Sequence, residues 1–215
     1  VVDNGVLVGT ITVDDIVDVI HEEHEEDIMR LAGVGEEDDL YSAVIDTMKS
    51  RFSWLLIHLL SALLAAYVIS LFAGTIQELV ALAILMPIVA TMGGTASIQT
   101  LTVAVRAIAM RELTPSNAYR TIGKEITVGV LNGLIFASII GFIVYAWFDS
   151  ALLGVVIGLA IIVNLIVAGF VGSSLPIILQ SLGFDPAVAS SAFLTSITDI
   201  IGFYVFLGLA ASLLL

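Results

Sequence analysis

Long apolar runs recur along the chain. Each is long enough to cross a bilayer, whose hydrocarbon layer takes about 20 residues of α-helix. They predict spans at 54–76, 79–105, 125–148, 151–180 and 187–213, with Pro87 and Pro176 interrupting the second and fourth. Ahead of them "VLVGTITV" alternates at the strand period, and Asp14 then stands where it can cap a helix running to about Arg30. Gly33 and Gly35 break that helix, and Leu40, Val44 and Met48 recur at every fourth position, which predicts an amphipathic helix just before the membrane. The pattern therefore predicts an all-α membrane protein of five transmembrane helices, preceded by a connecting helix. It divides into residues 1–20, residues 21–52 (connecting and juxtamembrane helices) and residues 53–215 (membrane domain). One strand and one helix cannot close a core, and the chain starts at Val1 without Met. Residues 1–20 therefore read as the end of a larger domain, and the chain as a piece of a longer protein.

Composition narrows the class. The chain is 59% hydrophobic with a mean hydropathy of +1.11, far from a soluble globular domain. It has no cysteine, which excludes disulfides and thiolate metal sites. Recurrence of the apolar runs excludes a cleaved signal peptide. The net charge of −13 is uneven: residues 1–50 hold 14 Asp/Glu against Arg30 and Lys49. An acidic head thus precedes a nearly neutral body, and no nucleic-acid partner is expected. Arg30, Lys49, Arg51, Arg106, Arg111, Arg120 and Lys124 all fall on one side of a five-span topology, which puts the N-terminus in the cytoplasm and the protein in the plasma (inner) membrane.

Small residues at every fourth position mark close helix contacts in lipid. Gly129, Gly133, Ala137 and Gly141 form one such line; Ala160, Asn164, Ala168 and Gly172 form another, with Asn164 as an interhelical donor. Both read as packing seams. Asp199 is different. It stands 12 residues beyond Ala187, about 18 Å along a helix, and an ionisable group at that depth marks a functional site with a partner. Ser191, Thr195 and Asp199 share one face, and Gly202 leaves space beside them. No Lys or Arg lies within the predicted spans. A protonated carboxyl, a water-filled cavity or a cation from solution remain as its company.

The second span reads "MPIVATMGGTASIQTLTVAV". Pro87, Gly93 and Gly94 predict irregular backbone there, and Thr91, Thr95, Gln99 and Thr102 offer neutral oxygens. Neutral oxygens with one carboxylate suit a hard cation such as Mg²⁺ or Ca²⁺, and Mg²⁺ is commonly held through few carboxylates with its waters retained. A homodimer about a central axis would bring two carboxylates together. In the head, "HEEHEEDI" lacks the His spacing of a zinc protease. Its bland reading is a solvated acidic face. Glu22, Glu25 and Glu26 nevertheless share one side, where bound cations would relieve repulsion, so the helix is also a candidate sensor.

These tokens together carry a resemblance. "LVGTITVDDIVDVI", the acidic helix, "PIVATMGGTASIQT" and "GFDPAVASSAFLTSITDIIG" make the chain similar to the MgtE family of magnesium channels and transporters over essentially its whole length. The resemblance implies that residues 1–20 end a CBS domain. It also implies a homodimeric, Mg²⁺-selective pore lined by the second and fifth spans, with Asp199 as its carboxylate and Thr195, Ser191, Thr91, Thr95 and Gln99 along its wall. It further implies closure by the connecting helix at high cytosolic Mg²⁺, with Asp14, Glu22, Glu25, Glu26 and the loop residue Asp185 sensing the ion. The family's G-G-N-x-G-x-Q motif has Thr95 for Asn and Ser97 for Gly here, and Ser191 stands where Asn is usual.

The function expected is therefore passive Mg²⁺ conduction, with Mg²⁺ both transported and regulatory and with no enzymatic activity. The first alternative is a cation-coupled secondary transporter exporting Mg²⁺ or another divalent ion. An intramembrane aspartyl protease would need two carboxylates sharing a proton, and one chain holds a single membrane Asp, Asp199. A sensor without transport would leave the polar stripes unexplained.

Overall fold

The computed structural model describes residues 2–3, 6–7, 9–34, 41–114, 116–188 and 191–215. Two two-residue strands, β1 (Val2–Asp3) and β2 (Val6–Leu7), pair antiparallel. Of the strand expected over "VLVGTITV", the described residues show Val6–Leu7, and residues 9–12 lead without strand into helix α1 (Val13–Leu31). Its cap is Thr12 rather than Asp14. Asp15 accepts from both the Thr12 N–H and the Thr12 hydroxyl, at 2.7 Å each, which ties the first turn together. These bonds favour the ionised form and hold the Asp15 carboxyl below its usual range. At the other end Gly33 (φ +71°) lets Val34 N–H reach the Met29 carbonyl, a left-handed helix stop that a side chain would strain.

Among the described residues five helices are long and apolar enough to cross a membrane: α2 (Val44–Leu71), α4 (Ala81–Ala109), α5 (Ala118–Phe148), α6 (Ala151–Ser181) and α7 (Ser191–Leu213). The separate juxtamembrane helix does not appear among the described residues: from Val44 onward it is continuous with the first span, and Leu40 lies outside them. A short α3 (Ala73–Glu78) fills the expected loop. Asn117 starts α5 seven residues early by receiving Thr114 N–H and donating to the Glu112 carbonyl. Residues Pro186–Val188 form a 3-10 turn, so α7 starts at Ser191 rather than 187.

Helix α6 is apolar all round and buried at the centre, against α4, α5 and α7; α2 touches the bundle through α7. The two small-residue lines are packing seams. On α5, a Cβ at Gly129 would lie 2.6 Å from the Leu165 carbonyl oxygen and one at Gly133 3.0 Å from Ile162 Cα. On α6, a Cβ at Gly172 would lie 2.8 Å from the Ser97 carbonyl of α4. The core runs through Leu82, Val89, Ile157, Ile161 and Phe206, and a smaller cluster at the other end joins Leu101 and Leu194 to Leu31 of α1.

Candidate functional site

The irregular backbone expected in the second span is absent. Helix α4 runs unbroken through Pro87, Gly93 and Gly94. Its glycines serve approach instead: a Cβ on Gly94 would lie 3.1 Å from Thr195 Cγ2 on α7, and one on Gly93 would sit within the Asn164 side chain of α6, 2.2 Å from its Nδ2. Three helices therefore converge at this level. Asn164 Nδ2 donates to the Val89 carbonyl at 2.9 Å.

Ser191, Thr195 and Asp199 lie half-buried on one face of α7. With α7 running from Ser191 to Leu213, Asp199 is eight residues in, about 12 Å rather than 18 Å, and three residues, about 4.5 Å, short of the helix midpoint. Among the described residues it forms no ion pair and no side-chain hydrogen bond, and His58 of α2 lies within electrostatic reach. Ser191 and Thr195 border a cavity of about 380 Å³ with Gly33, Arg51, Trp54 and His58. The cavity joins the end of α1 to the starts of α2 and α7.

The wall of α4 divides. Thr91 and Thr95 are exposed, uncovered by the other helices of the chain, and Thr102 bonds its own helix at the Ile98 carbonyl, 2.9 Å away. Gln99 turns toward α5, into a crevice of about 140 Å³ with Thr100, Glu125 and Asn132. The sequence reading passed over Glu125, placing it at the edge of a span. Because α5 begins at Ala118, this carboxylate sits two turns inside the helix, its side chain 14% exposed. Thr100 Oγ1 donates to it at 3.3 Å and Lys124 Nζ stands 3.7 Å away. The sequence signal was the run of polar residues after Asn117, which lengthens the helix before its apolar part.

The predicted sensor residues separate likewise. Asp14, Glu22 and Glu25 lie exposed along α1. Glu26 and Asp185 meet at one place, around Arg30, whose guanidinium pairs with both carboxylates. Asp185 also accepts from Ala187 N–H at 2.9 Å, so the α6–α7 turn and the end of α1 are joined through one arginine. No group of three or more His, Asp or Glu side chains able to hold a metal occurs among the described residues.

Comparison with known proteins adds a family match. A family described as "MgtE: Divalent cation transporter" matches residues 86–209, which contain the α4–α7 wall. The chain is 32% identical over 210 residues to the magnesium transporter MgtE of Bacillus subtilis, covering 98% of this chain and 47% of that protein. It is 35% identical over 205 residues to that of Enterococcus faecalis (95% and 45%), and 33% identical over 214 residues to that of Thermus thermophilus (99% and 47%). It spans about half the length of these relatives.

Proposed function

Because the chain belongs to the MgtE family of divalent cation transporters, we propose that it carries the ion path of a Mg²⁺ transporter, conducting the ion down its electrochemical gradient. One observation carries the reading: Asp199, half-buried within a spanning helix, has no salt-bridge partner among the described residues. A negative group at that depth needs a counter-charge, and a mobile divalent cation is one. Asp199 would hold Mg²⁺ through retained waters, with Thr195 and Ser191 below it and Thr91 and Thr95 across the path. The exposure of Thr91 and Thr95, and of one long side of α2, supports a homodimer in which a second copy covers these faces.

At −100 mV a divalent ion gains about 4.6 kcal/mol on entering, enough to drive uptake without ATP. The basic residues around the α4–α5 connection and near the start of α2 support a cytoplasmic N-terminus. Gating follows from the head: cytosolic Mg²⁺ ions bound at the exposed carboxylates Asp14, Glu22 and Glu25, together with the Glu26–Arg30–Asp185 contact, would hold α1 at the mouth of the path. Coupled export is the second reading, favoured by Glu125, another carboxylate inside a spanning helix. Flux of the full-length protein in sealed vesicles separates the two. Conduction follows the imposed voltage with no other gradient; a requirement for a Na⁺ or H⁺ gradient would overturn it.

A further inference from the structure

The side chain that holds the proposed ion path together belongs to neither of the helices lining it. Asn164 is 1% exposed, in the most apolar helix of the bundle. Its Nδ2 bonds a backbone carbonyl, that of Val89, so the contact fixes the rotation and height of α4 itself rather than a movable side chain. The amide fills a niche made by two glycines on different helices. A Cβ at Gly93 of α4 would lie 2.2 Å from Nδ2, and one at Gly202 of α7 2.7 Å from it. The same glycine of α7 stands 3.2 Å, at its would-be Cβ, from Val89 Cγ1. Asn164 Oδ1 has no partner among the described residues. An apolar side chain of similar shape would fill the niche without that unpaired oxygen, so packing alone does not explain an amide here.

We propose that Asn164 is a positioning residue for ion selectivity: it sets the spacing of α4 and α7, and with it the distance between the Thr91–Thr95 face and Asp199. This rests on reading that interface as the ion path. Gly93 lies between Thr91 and Thr95, and Gly202 lies three residues past Asp199, so a shift at the amide moves both walls. A cation held through its own waters is sensitive to that gap, and Mg²⁺ and Ca²⁺ differ in size and in how readily they shed water.

The test uses the full-length protein in proteoliposomes and reads the ratio of Mg²⁺ to Ca²⁺ uptake. Asn164→Leu, which keeps the bulk and removes the donor, lowers the ratio by about threefold or more, as coupled contacting residues do. Gly202→Ala, which keeps the amide and displaces it, lowers it too. Combining Asn164→Ala with Gly202→Ala recovers part of the loss. Asn164→Ser, smaller and still a donor, retains more selectivity than Leu, and carries the readout if Asn164→Leu does not fold. A wild-type ratio in folded Asn164→Leu, or in folded Gly202→Ala, overturns the proposal. Asp199→Asn, measured beside them, separates the two failures. If it transports normally the ion path itself is misplaced; if it is silent while the ratio in the others is unchanged, only the role of Asn164 falls.

Discussion

Two of the seams in the bundle are built differently. Between α5 and α6 backbone meets backbone: a Cβ at Gly154 would lie 2.7 Å from the Gly141 carbonyl, and one at Gly158 3.3 Å from Ala137 Cβ. Little there needs a partner. Between α4 and α7 glycine meets side chain instead: a Cβ at Gly94 would lie 3.1 Å from Thr195 Cγ2 and one at Gly202 3.2 Å from Val89 Cγ1, and the neighbouring side chains are Thr91, Thr95, Thr195 and Asp199, with the Asn164 amide behind them. A membrane seam made only of small residues is complete on its own. One that adds hydroxyls and a carboxylate carries polar groups that packing does not require, and function is the reason to retain them.

Breaking the polar seam has the largest expected effect. Asp199→Ala abolishes Mg²⁺ uptake in vesicles while the purified protein still elutes as a folded species; unchanged uptake would leave the two seams equivalent in kind. Substitution in the apolar seam does the reverse. Gly154→Val drives a side chain into the Gly141 carbonyl and costs about 1–3 kcal/mol of stability. Thermal unfolding in detergent reads that loss, while the protein that remains folded keeps its Mg²⁺ over Ca²⁺ preference.

Outside the seams the effects shrink. Arg30→Gln leaves Glu26 and Asp185 facing one another without their shared cation. Both pairs are partly exposed, so the docking of α1 weakens by about 1 kcal/mol, a several-fold change in the Mg²⁺ needed for half-inhibition. Flux assays at graded internal Mg²⁺ read it. The smallest effect lies at Thr12–Asp15. Because the folded Asp15 carboxyl ionises below its usual range, its contribution is present above the unfolded value near pH 4 and is lost as pH falls through the lower folded one. Hydrogen exchange at the first turn of α1 rises on that descent, and Asp15→Asn removes the dependence.

The five spans were legible because an apolar run of about 20 residues has few other uses. Their ends were less so. Asn117 extends α5 through hydrogen bonds to Thr114 and Glu112 that no hydropathy pattern contains, and the 3-10 turn at Pro186–Val188 shortens α7. Gly93 and Gly94 looked like helix breakers because Gly lowers helix propensity; the neighbours that explain them, Asn164 and Thr195, lie far along the chain. Asp199 stood out by its isolation among apolar residues. Where its neighbours lie did not, nor did the meeting of Arg30 with Asp185, 155 residues apart, or the burial of Glu125 in a helix longer than its apolar stretch suggested.

In the proposed ion path the Asp199 carboxylate faces a passage shared by α4 and α7 and recruits its counter-charge from solution. Anomalous diffraction from crystals of the full-length protein grown with Mn²⁺, a stand-in with the same taste for oxygen and near-octahedral coordination, tests it most directly. A metal peak is expected opposite Asp199, bordered by α4 and α7 and lost in Asp199→Asn. An Asp199 side chain turned to lipid, with manganese bound elsewhere in the same crystal, would contradict it.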